Sequence, residues 1–374
     1  MSIKIVFLSN FFNHHQAPLS NALASNNQVD YYFVETETMP QERVNLGYEM
    51  DTIPQYVINY LTYKNDVDRI IDLIDSADVV IIGSAPEFLI RSRRKQKKLI
   101  FRYYERLYKK PIKWWSWPKK LICNQYKYGG NPNEYVLCAS SFTASDFALT
   151  GNYIGKCYKW GYFPETKTYS PETLLSQKER NSILWVGRMI DWKHPELAIH
   201  LAVQLKKRGY RFKLRMIGIG EMKEDLSIMI KENDLQDSVF LLGAMKPSQV
   251  REYMEKTEIF LFTSDRNEGW GAVLNESMNS CCAVVANYEI GSVGYMMKNG
   301  INGLVYNDLD GLLKQTVALM NAPGLRKKIG KMAYQTIIYS WNAENAAKRF
   351  VRLSMKLIDN KKCKYKCGPC SSDG

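Results

Sequence analysis

The segment from Ile183 to Ile217 reads ILWVGRMIDWKHPELAIHLAVQLKKRGYRFKLRMI, and it decides the fold class. Residues 183–186 and 213–217 are short runs with the composition of buried strands, whereas residues 196–208 place apolar side chains at helical spacing. A strand, a helix and a second strand in this order predict two parallel strands joined by a helix.

The same alternation runs through most of the 374 residues. It predicts an α/β fold, in which helices cover both faces of parallel sheets. Further strands are predicted at residues 3–8, 29–34, 79–82, 99–101, 135–137, 239–242, 259–263 and 283–286, and further helices at residues 248–256 and 271–280.

The pattern is interrupted after Gly161-Tyr162-Phe163-Pro164, where a polar stretch continues to Arg180. We therefore predict two doubly wound, Rossmann-like domains, residues 1–164 and 165–340, which face each other across a crevice at the carboxyl ends of their strands. A closing helix at residues 341–360 could pack on either domain. Residues 361–374 are predicted to be a flexible, basic tail.

Composition excludes several classes of protein. A hydrophobic fraction of 45% and a charged fraction of 24% are those of a globular chain rather than a disordered or coiled-coil one. Apolar runs are too short to span a bilayer, and the N-terminus lacks the pattern of a signal peptide, so we expect a soluble, cytoplasmic protein. Cys363, Cys367 and Cys370 could hold a metal with a fourth ligand from elsewhere, but a loose polar tail is the favoured interpretation.

The positive charge is concentrated in one segment. The net charge is +13, and residues 91–120 contain thirteen Lys and Arg residues but a single acid, Glu105. Seven Tyr, Trp and Phe residues lie in the same segment. Basic and aromatic residues together predict contact with an anionic membrane surface. A solvated charged face and nucleic-acid binding are the alternatives, but no nucleic-acid-binding module is present, which makes nucleic acid the least favoured.

The first candidate site motif is Gly187-Arg188, followed by Lys193. Two cations that follow a predicted strand and precede a helix suit a diphosphate, because a guanidinium forks onto phosphate oxygens and an ammonium adds a point charge. The alternative is that both residues decorate an exposed loop.

The second motif runs from Glu268 through Gly269-Trp270-Gly271 to Glu276. It follows a predicted strand and opens a helix, so that one carboxylate lies in the loop and the other inside the helix. Two carboxylates spaced in this way could bind two parts of a polyol ligand, and the glycines allow close backbone approach. The alternative is a helix-capping glutamate and a surface glutamate.

Together these motifs resemble the nucleotide-sugar domain of family 4 retaining glycosyltransferases of the GT-B fold. The resemblance continues through Cys282-Ala283-Val284-Val285-Ala286 and the loop and strand at residues 290–305, so it covers roughly residues 183–305. It implies that the two domains are those of the GT-B fold.

The resemblance also implies roles for individual residues. Arg188 and Lys193 would hold the donor diphosphate, and Glu276 the ribose hydroxyls. Glu268 and the backbone of residues 269–271 would contact the donor sugar, and Met245 would lie by the base. The predicted substrate-binding set is completed by Gly269, Trp270, Gly271, Ala272, Val273 and Asn13.

The loop after the first predicted strand, residues 9–16, contains no glycine, unlike many members of this family. His14 or His15 in this loop could orient the acceptor or the donor sugar, since imidazole is a common acid–base group near neutral pH. We include His14 among the catalytic candidates. Each histidine could equally cap the helix that starts near Gln16.

The expected function is transfer of a hexose from a nucleoside-diphosphate sugar to a hydroxyl with retention of configuration. The resemblance favours front-face attack, without a cofactor and without a metal. The expected acceptor is a saccharide, in the favoured case lipid-linked, as in bacterial surface polysaccharide synthesis at the inner face of the membrane. A nucleotide-sugar epimerase and a noncatalytic, membrane-docked binder of nucleotide sugars are the alternatives.

Overall fold

The computed structural model describes residues 2–45, 47–48, 50, 52–63, 67–110 and 112–373. The chain forms two compact units. The first consists of Met1–Glu165 together with Asn342–Gly374, and the second of Thr166–Trp341.

The described part of the first unit contains a seven-stranded parallel sheet in the order β3-β2-β1-β4-β5-β6-β7. Its strands are β1 (Ile3–Ser9), β2 (Val29–Glu35), β3 (Val57–Asn59), β4 (Val79–Ile82), β5 (Ile100–Tyr104), β6 (Glu134–Cys138) and β7 (Cys157–Lys159). The accompanying helices are α1 (Ala17–Ala24), α2 (Gln41–Asn45), α3 (Val67–Ser76), α4 (Arg91–Lys95), α5 (Trp117–Tyr128) and α6 (Thr143–Ala148).

The second unit contains a six-stranded parallel sheet in the order β10-β9-β8-β11-β12-β13. Its strands are β8 (Glu179–Val186), β9 (Lys213–Ile217), β10 (Val239–Gly243), β11 (Thr257–Phe262), β12 (Ala283–Asn287) and β13 (Leu304–Tyr306). Its helices are α7 (Pro171–Ser176), α8 (Pro195–Lys207), α9 (Lys223–Glu232), α10 (Pro247–Lys256), α11 (Val273–Asn279), α12 (Val293–Met296), α13 (Leu309–Asn321) and α14 (Pro323–Tyr339).

The central strands of both sheets are buried on both faces. Every residue of β4 and of β12 is buried, because helices cover the two sides of each sheet. This explains why the central strands are continuous apolar runs in the sequence. All the strands predicted above are present. The short strands β3 and β7 at the two edges of the first sheet were not predicted.

In each sheet the chain order reverses once, and we call this position the switch point. The first switch point lies between β1 and β4, and the second between β8 and β11. On either side of a reversal, successive strands are added in opposite directions, which leaves a crevice at the carboxyl ends of the strands.

The last long helix, α15 (Ala343–Ile358), belongs to the first unit, where it packs on α1. Asn342 begins it, since its side-chain oxygen accepts a hydrogen bond from the backbone N–H of Asn345 at 2.8 Å. Within the described residues, no helix is both long enough and apolar enough to cross a bilayer.

The prediction of a flexible tail is wrong for residues 368–373. The backbone of this segment runs along the edge strand β7, with hydrogen bonds from Lys159 to Ser371 and from Asp373 to Cys157 at 2.8 and 2.9 Å. Cys370 is fully buried, and burial raises the pKa of its thiol. The free edge of β7 orders the segment, because an unpaired strand edge offers hydrogen-bonding groups.

Candidate functional site at the second switch point

The loops that follow β8 and β11 lie side by side. The two strands pair directly, with Trp185 opposite Leu261, so both loops leave the sheet at the same edge. The first loop carries the Arg188 and Lys193 motif, and the second leads to Glu268. The topology therefore brings the two predicted motifs to one place.

Lys193 and Glu268 form an ion pair between the Lys193 Nζ and the Glu268 Oε2. The same carboxylate oxygen accepts a hydrogen bond from the Ser264 hydroxyl at 2.9 Å. Only 15% of the lysine side chain and 9% of the glutamate side chain are exposed. The pair is thus partly removed from water, where an electrostatic interaction is stronger than at an open surface.

Backbone and hydroxyl hydrogen bonds hold the two loops against each other. The Thr263 hydroxyl donates to the carbonyl of Lys193 at 2.7 Å and accepts from the Trp185 indole N–H at 2.8 Å. The backbone N–H of Asp265 donates to the carbonyl of Trp192 at 3.0 Å. These contacts are all internal to the second unit, and they fix the backbone that carries Lys193.

His194 provides a further link between the loops. Its Nδ1 lies 2.8 Å from Glu196 Oε1, and its Nε2 lies 3.5 Å from Asp265 Oδ2. The hydrogen bond to Glu196 raises the pKa of His194, and the negative charge of Asp265 adds to this effect against the cost of burial. His194 has a positive φ of 49° and directly precedes Pro195, the first residue of α8.

Arg188 lies beside Lys193. The Arg188 guanidinium carbon is 5.7 Å from the centre of the Trp192 ring, and the Lys193 Nζ is 4.6 Å from the same centre. Arg188 is half-buried. The two cations thus lie around one aromatic ring, with the Lys193 charge paired with Glu268, and their role in holding a diphosphate stays a prediction.

Gly271 is required by packing inside the loop. Its φ is +78°, and a Cβ at this position would lie 2.2 Å from the Phe262 ring and 3.2 Å from the Glu268 carboxyl carbon. An L side chain would therefore collide with the Phe262 ring and press on the glutamate. The neighbouring Gly269 is buried.

The Trp270 side chain belongs to the core. It is fully buried, its indole N–H donates to Asn275 at 2.9 Å, and its ring lies 5.5 Å from that of Trp341. The Trp270 carbonyl accepts a hydrogen bond from Ser292 at 2.5 Å. The predicted contact with substrate can therefore involve the backbone of Trp270 but not its ring.

Glu276 is half-buried in the first turn of α11, which Ala272 precedes and Val273 begins. Met245 is half-buried in the loop after β10, two strands away from β8. These residues thus lie at the carboxyl edge of the sheet, as do the cations. Their predicted contacts with ribose and base stay predictions.

Sequence reasoning assigned no role to Gly218 and Gly220, which follow β9. A Cβ on Gly218, whose φ is +141°, would lie 1.8 Å from the carbonyl oxygen of Gly187, and one on Gly220 would lie 2.3 Å from that of Met189. The two glycines thus let the β9 loop approach the backbone on both sides of Arg188. The Gly-Ile-Gly triplet directly after a predicted strand was the signal available in the sequence.

In the first unit, the loop after β1 carries the predicted histidines. The His14 and His15 rings are 4.0 Å apart, and the Tyr48 ring lies 4.6 Å from His14. Desolvation lowers the pKa of His14, and it lowers the pKa of His15 to about 3. Repulsion from His14, when that ring is protonated, and the positive charge of Arg43 add to the lowering of the His15 pKa. Both imidazoles are therefore neutral at pH 7.

Neither histidine caps α1. That helix is preceded by Gln16, which makes no side-chain capping hydrogen bond, and the loop is held by Asn13, whose side-chain oxygen accepts from the His15 backbone N–H at 2.9 Å. Within the part of the chain that the structure describes, the Nδ1 atoms of His14 and His15 are buried without a hydrogen-bond partner.

Among the described residues, no three or more His, Cys, Asp and Glu side chains cluster so that they could hold a metal ion. The expectation that the chain needs no metal stays a prediction.

Comparison with curated proteins shows similarity over part of the chain. A segment of 131 residues is 37% identical to the N-acetylgalactosamine-N,N'-diacetylbacillosaminyl-diphospho-undecaprenol 4-alpha-N-acetylgalactosaminyltransferase of Campylobacter jejuni, covering 35% of this chain and 32% of that protein. A segment of 170 residues is 26% identical to the poly(ribitol-phosphate) alpha-N-acetylglucosaminyltransferase of Staphylococcus aureus, covering 45% of this chain and 34% of that protein. The matched segment thus spans about a third of the length of each relative.

Solved structures share the whole fold. A glycosyltransferase from Rickettsia africae superposes with a TM-score of 0.66 at 15% identity, covering 96% of this chain and 100% of that one. The pneumococcal O-GlcNAc transferase GtfA, in complex with UDP and GlcNAc, superposes with a TM-score of 0.67 at 11% identity, covering 96% and 99%. At these identities the similarity establishes the fold, and it confirms the predicted GT-B class of two Rossmann-like domains.

The family comparison covers the same unit as the candidate site. Residues 167–336 match the family described as Glycosyl transferases group 1. This range contains both predicted motifs and the ion pair that joins them. The second unit therefore contains a region that matches the glycosyl transferases group 1.

Proposed function

We propose that this protein is a retaining glycosyltransferase, which moves a hexose from a nucleoside-diphosphate sugar to a hydroxyl of a saccharide acceptor. The observation that carries the proposal is the joining of Arg188, Lys193 and Glu268 at the second switch point. A switch point is where open parallel sheets bind nucleotides, and the charges there match a diphosphate next to a sugar.

The cations would act on the leaving group. Negative charge grows on the diphosphate as the bond to the sugar breaks, and Arg188 and Lys193 supply fixed positive charge where it develops. Preorganised charge of this kind contributes about 3 to 4 kcal/mol for a single group in other enzymes. Glu268 holds the ammonium in place before the donor arrives, and its carboxylate can accept a hydrogen bond from a sugar hydroxyl.

The remaining predicted residues would position the substrates. Glu276 would bind the ribose hydroxyls, and Met245 would pack near the base. His14, with a neutral ring and a buried Nδ1, suits a hydrogen bond to a hydroxyl of the acceptor or of the donor sugar. We propose that the leaving phosphate oxygen accepts the proton of the acceptor hydroxyl, so that no metal and no cofactor are required.

We propose a lipid-linked saccharide as the acceptor, in surface polysaccharide synthesis at the inner face of a bacterial membrane. Names of two similar proteins support this choice. The Campylobacter relative is named for a diphospho-undecaprenol acceptor, and a relative from Erwinia amylovora is an amylovoran biosynthesis glycosyltransferase.

Isothermal titration calorimetry with UDP, GDP and ADP tests the diphosphate role. Lys193→Ala removes one of the two cations, so we expect at least about tenfold weaker binding of the preferred nucleotide, since a charge-assisted hydrogen bond is roughly twice as strong as a neutral one. Lys314→Ala on the exposed face of α13 is the matched control and should bind like the wild type. Unchanged affinity in Lys193→Ala would refute the assignment.

Turnover with a panel of nucleotide sugars and an undecaprenyl-diphosphate saccharide tests the reaction itself. We expect transfer with retained anomeric configuration, and activity that survives EDTA. Conversion of the donor sugar without any acceptor would identify an epimerase instead. Binding of the donor without turnover would indicate a noncatalytic binder.

A further inference from the structure

One surface of the first unit exposes large apolar side chains next to lysines. Trp114 is 82% exposed, Ile122 is 69% exposed and Tyr126 is 92% exposed. Trp115 is exposed beside Trp114, with the two ring centres 5.9 Å apart, and the Lys113 Nζ lies 5.2 Å from the centre of the Trp115 ring. Exposed apolar groups in such a cluster indicate an interaction surface rather than ordinary surface variation.

The helix α5 presents Ile122 and Tyr126 on one side. Lys119, Ile122 and Tyr126 are spaced by three and four residues, so they lie on one face of the helix. Another face is bound to the unit, with hydrogen bonds from Asn124 to the Thr150 hydroxyl at 3.0 Å and from Gln125 to the Thr150 carbonyl at 2.8 Å. The helix is therefore anchored, and the exposed face is not a consequence of fraying.

The basic segment 91–120 divides into two parts with different roles. In the first part, Arg93 is fully buried and donates to the carbonyls of Ile74 and Asp78 at 2.9 and 2.8 Å. Arg102 is also buried, in ion pairs with Glu87 and Glu134. These guanidinium groups hold the fold together and cannot meet a partner.

The second part, residues 109–119, carries exposed lysines next to the exposed tryptophans. Lys109, Lys110, Lys113 and Lys119 are exposed, and no Asp or Glu occurs in the sequence between Glu105 and Glu134. Pro111, within the predicted membrane segment, lies outside the described residues. The positive field of this part is therefore not cancelled by neighbouring acids along the chain.

We propose that this α5 surface, formed by Lys109, Lys110, Lys113, Trp114, Trp115, Lys119, Ile122 and Tyr126, docks on an anionic lipid bilayer. Indole and phenol rings favour the headgroup layer, and each lysine near an anionic surface strengthens binding by about fivefold. Ile122 favours a membrane over a nucleic acid, because an aliphatic side chain has no π face on which a base could stack.

The proposal narrows the predicted membrane segment. It removes Arg93 and Arg102, which are buried and serve the fold, and it adds Ile122 and Tyr126, which lie outside that segment. The proposal rests on the proposed function, because a transferase needs to reach a membrane when its acceptor is linked to a lipid. The binding itself requires no catalysis, so the two can be tested apart.

Vesicle flotation with the full chain tests the surface, using phosphatidylcholine vesicles with and without phosphatidylglycerol. We expect binding only to the anionic vesicles, weakened by salt. The variant Lys109→Gln/Lys110→Gln/Lys113→Gln should lose about fivefold in partition coefficient per lysine. The variant Ile122→Ser/Tyr126→Ser should also bind more weakly.

The matched control is Ile228→Ser/Tyr339→Ser, which removes the same residue types from exposed positions of the second unit, 54% and 76% exposed. It should bind vesicles like the wild type. Equal binding to neutral and anionic vesicles, or equal losses in the control and in Ile122→Ser/Tyr126→Ser, would overturn the proposal. The proposal would also be overturned if the lysine variant bound vesicles like the wild type but bound a single-stranded oligonucleotide more weakly.

Calorimetry with UDP on the same variants separates the two proposals. We expect unchanged nucleotide affinity in all the α5 surface variants. Vesicle binding without any nucleotide binding would leave the docking surface intact and refute the transferase. Nucleotide binding and turnover without vesicle binding would refute the docking surface and leave the transferase intact.

Discussion

At the second switch point a lysine and a glutamate are already paired, whereas at the first switch point two histidines lie against a tyrosine ring. The sheets that carry these loops reverse their chain order in the same way. Their site chemistry nevertheless differs, because the β8 and β11 loops contribute opposite charges with partners close by. The β1 loop contributes titratable groups whose environment keeps them neutral.

The difference shows that a switch point supplies a location and the loop residues supply the chemistry. Fixed charges at the second switch point suit a ligand whose charge changes during the reaction. Neutral imidazoles at the first suit hydroxyl groups, which need a hydrogen-bond donor or acceptor but no charge. Two features of this difference between the switch points can be tested: the packing around Glu268, and the neutrality of the His15 ring.

The largest expected effect concerns the packing at the second switch point. Gly271→Ala should lower the free energy of unfolding by about 3 kcal/mol or more, because the new Cβ adds a clash with Phe262 to a left-handed backbone conformation. Gly300→Ala is the control, since its φ is the same +78° but its Cβ would meet no atom within 4 Å. It should lose only about 1 kcal/mol. Equal losses in urea unfolding would show that the loop tolerates the clash.

The next effect concerns the first switch point and depends on pH. His15 has a lower pKa in the folded state than the ordinary value of 6.5, so the unfolded chain binds more protons below that value. Stability from this group is complete above pH 6.5 and is lost as the pH falls, at up to about 1.4 kcal/mol per pH unit. From pH 8 to pH 5, the wild type should therefore lose about 2 kcal/mol more than His15→Gln.

His200→Gln, at an exposed position of α8, is the control for this measurement. Unfolding by urea at pH 8, 6 and 5 gives the three curves. His14, Arg43 and Tyr48 face the His15 ring and are unchanged in both variants. A wild type that follows the pH dependence of His15→Gln would show that the histidine is charged in the folded protein.

The smallest effect concerns the hydrogen bond to the Glu268 carboxylate. Ser264→Ala removes the hydroxyl that donates to it, so stability should fall by about 1.5 kcal/mol, the usual contribution of a hydrogen bond to a charged group. Ser227→Ala on the exposed face of α9 removes a hydroxyl that bonds only to its own helix and should change stability by less than about 0.5 kcal/mol. A Ser264→Ala loss no greater than that would indicate that the ion pair alone holds Glu268.

Particular elements show how far sequence reasoning reached. Central strands such as β4 and β12 were predicted because burial on both faces makes them continuous apolar runs. The edge strands β3 and β7, of three residues each, were missed because so short a segment has no measurable periodicity. The ordered tail was missed for a related reason, since its backbone hydrogen bonds to β7 do not depend on the kind of side chain.

The candidate site was predictable where a motif follows a strand, as at Arg188, Lys193 and Glu268. The roles of Ser264 and His194 were not predictable, because each depends on a side-chain contact that only the folded loops create. The role of Gly218 was missed, although the Gly-Ile-Gly triplet signalled it. The interpretation of residues 91–120 as one basic surface was too coarse. Sequence cannot separate a buried arginine such as Arg93, which donates to carbonyls, from an exposed lysine such as Lys110.

The amino-acid sequence alone determined the order of strands and helices, the position of the charged motifs after β8 and β11, and the excess of cations before residue 120. Local periodicity and composition suffice for these features, because they depend only on neighbouring residues. The pairing of Lys193 with Glu268, 75 residues apart, and the neutrality of the histidines were decided only by the tertiary structure. Ion pairing and desolvation depend on distances in space and on access to water, and the chain acquires both only when the sheets assemble.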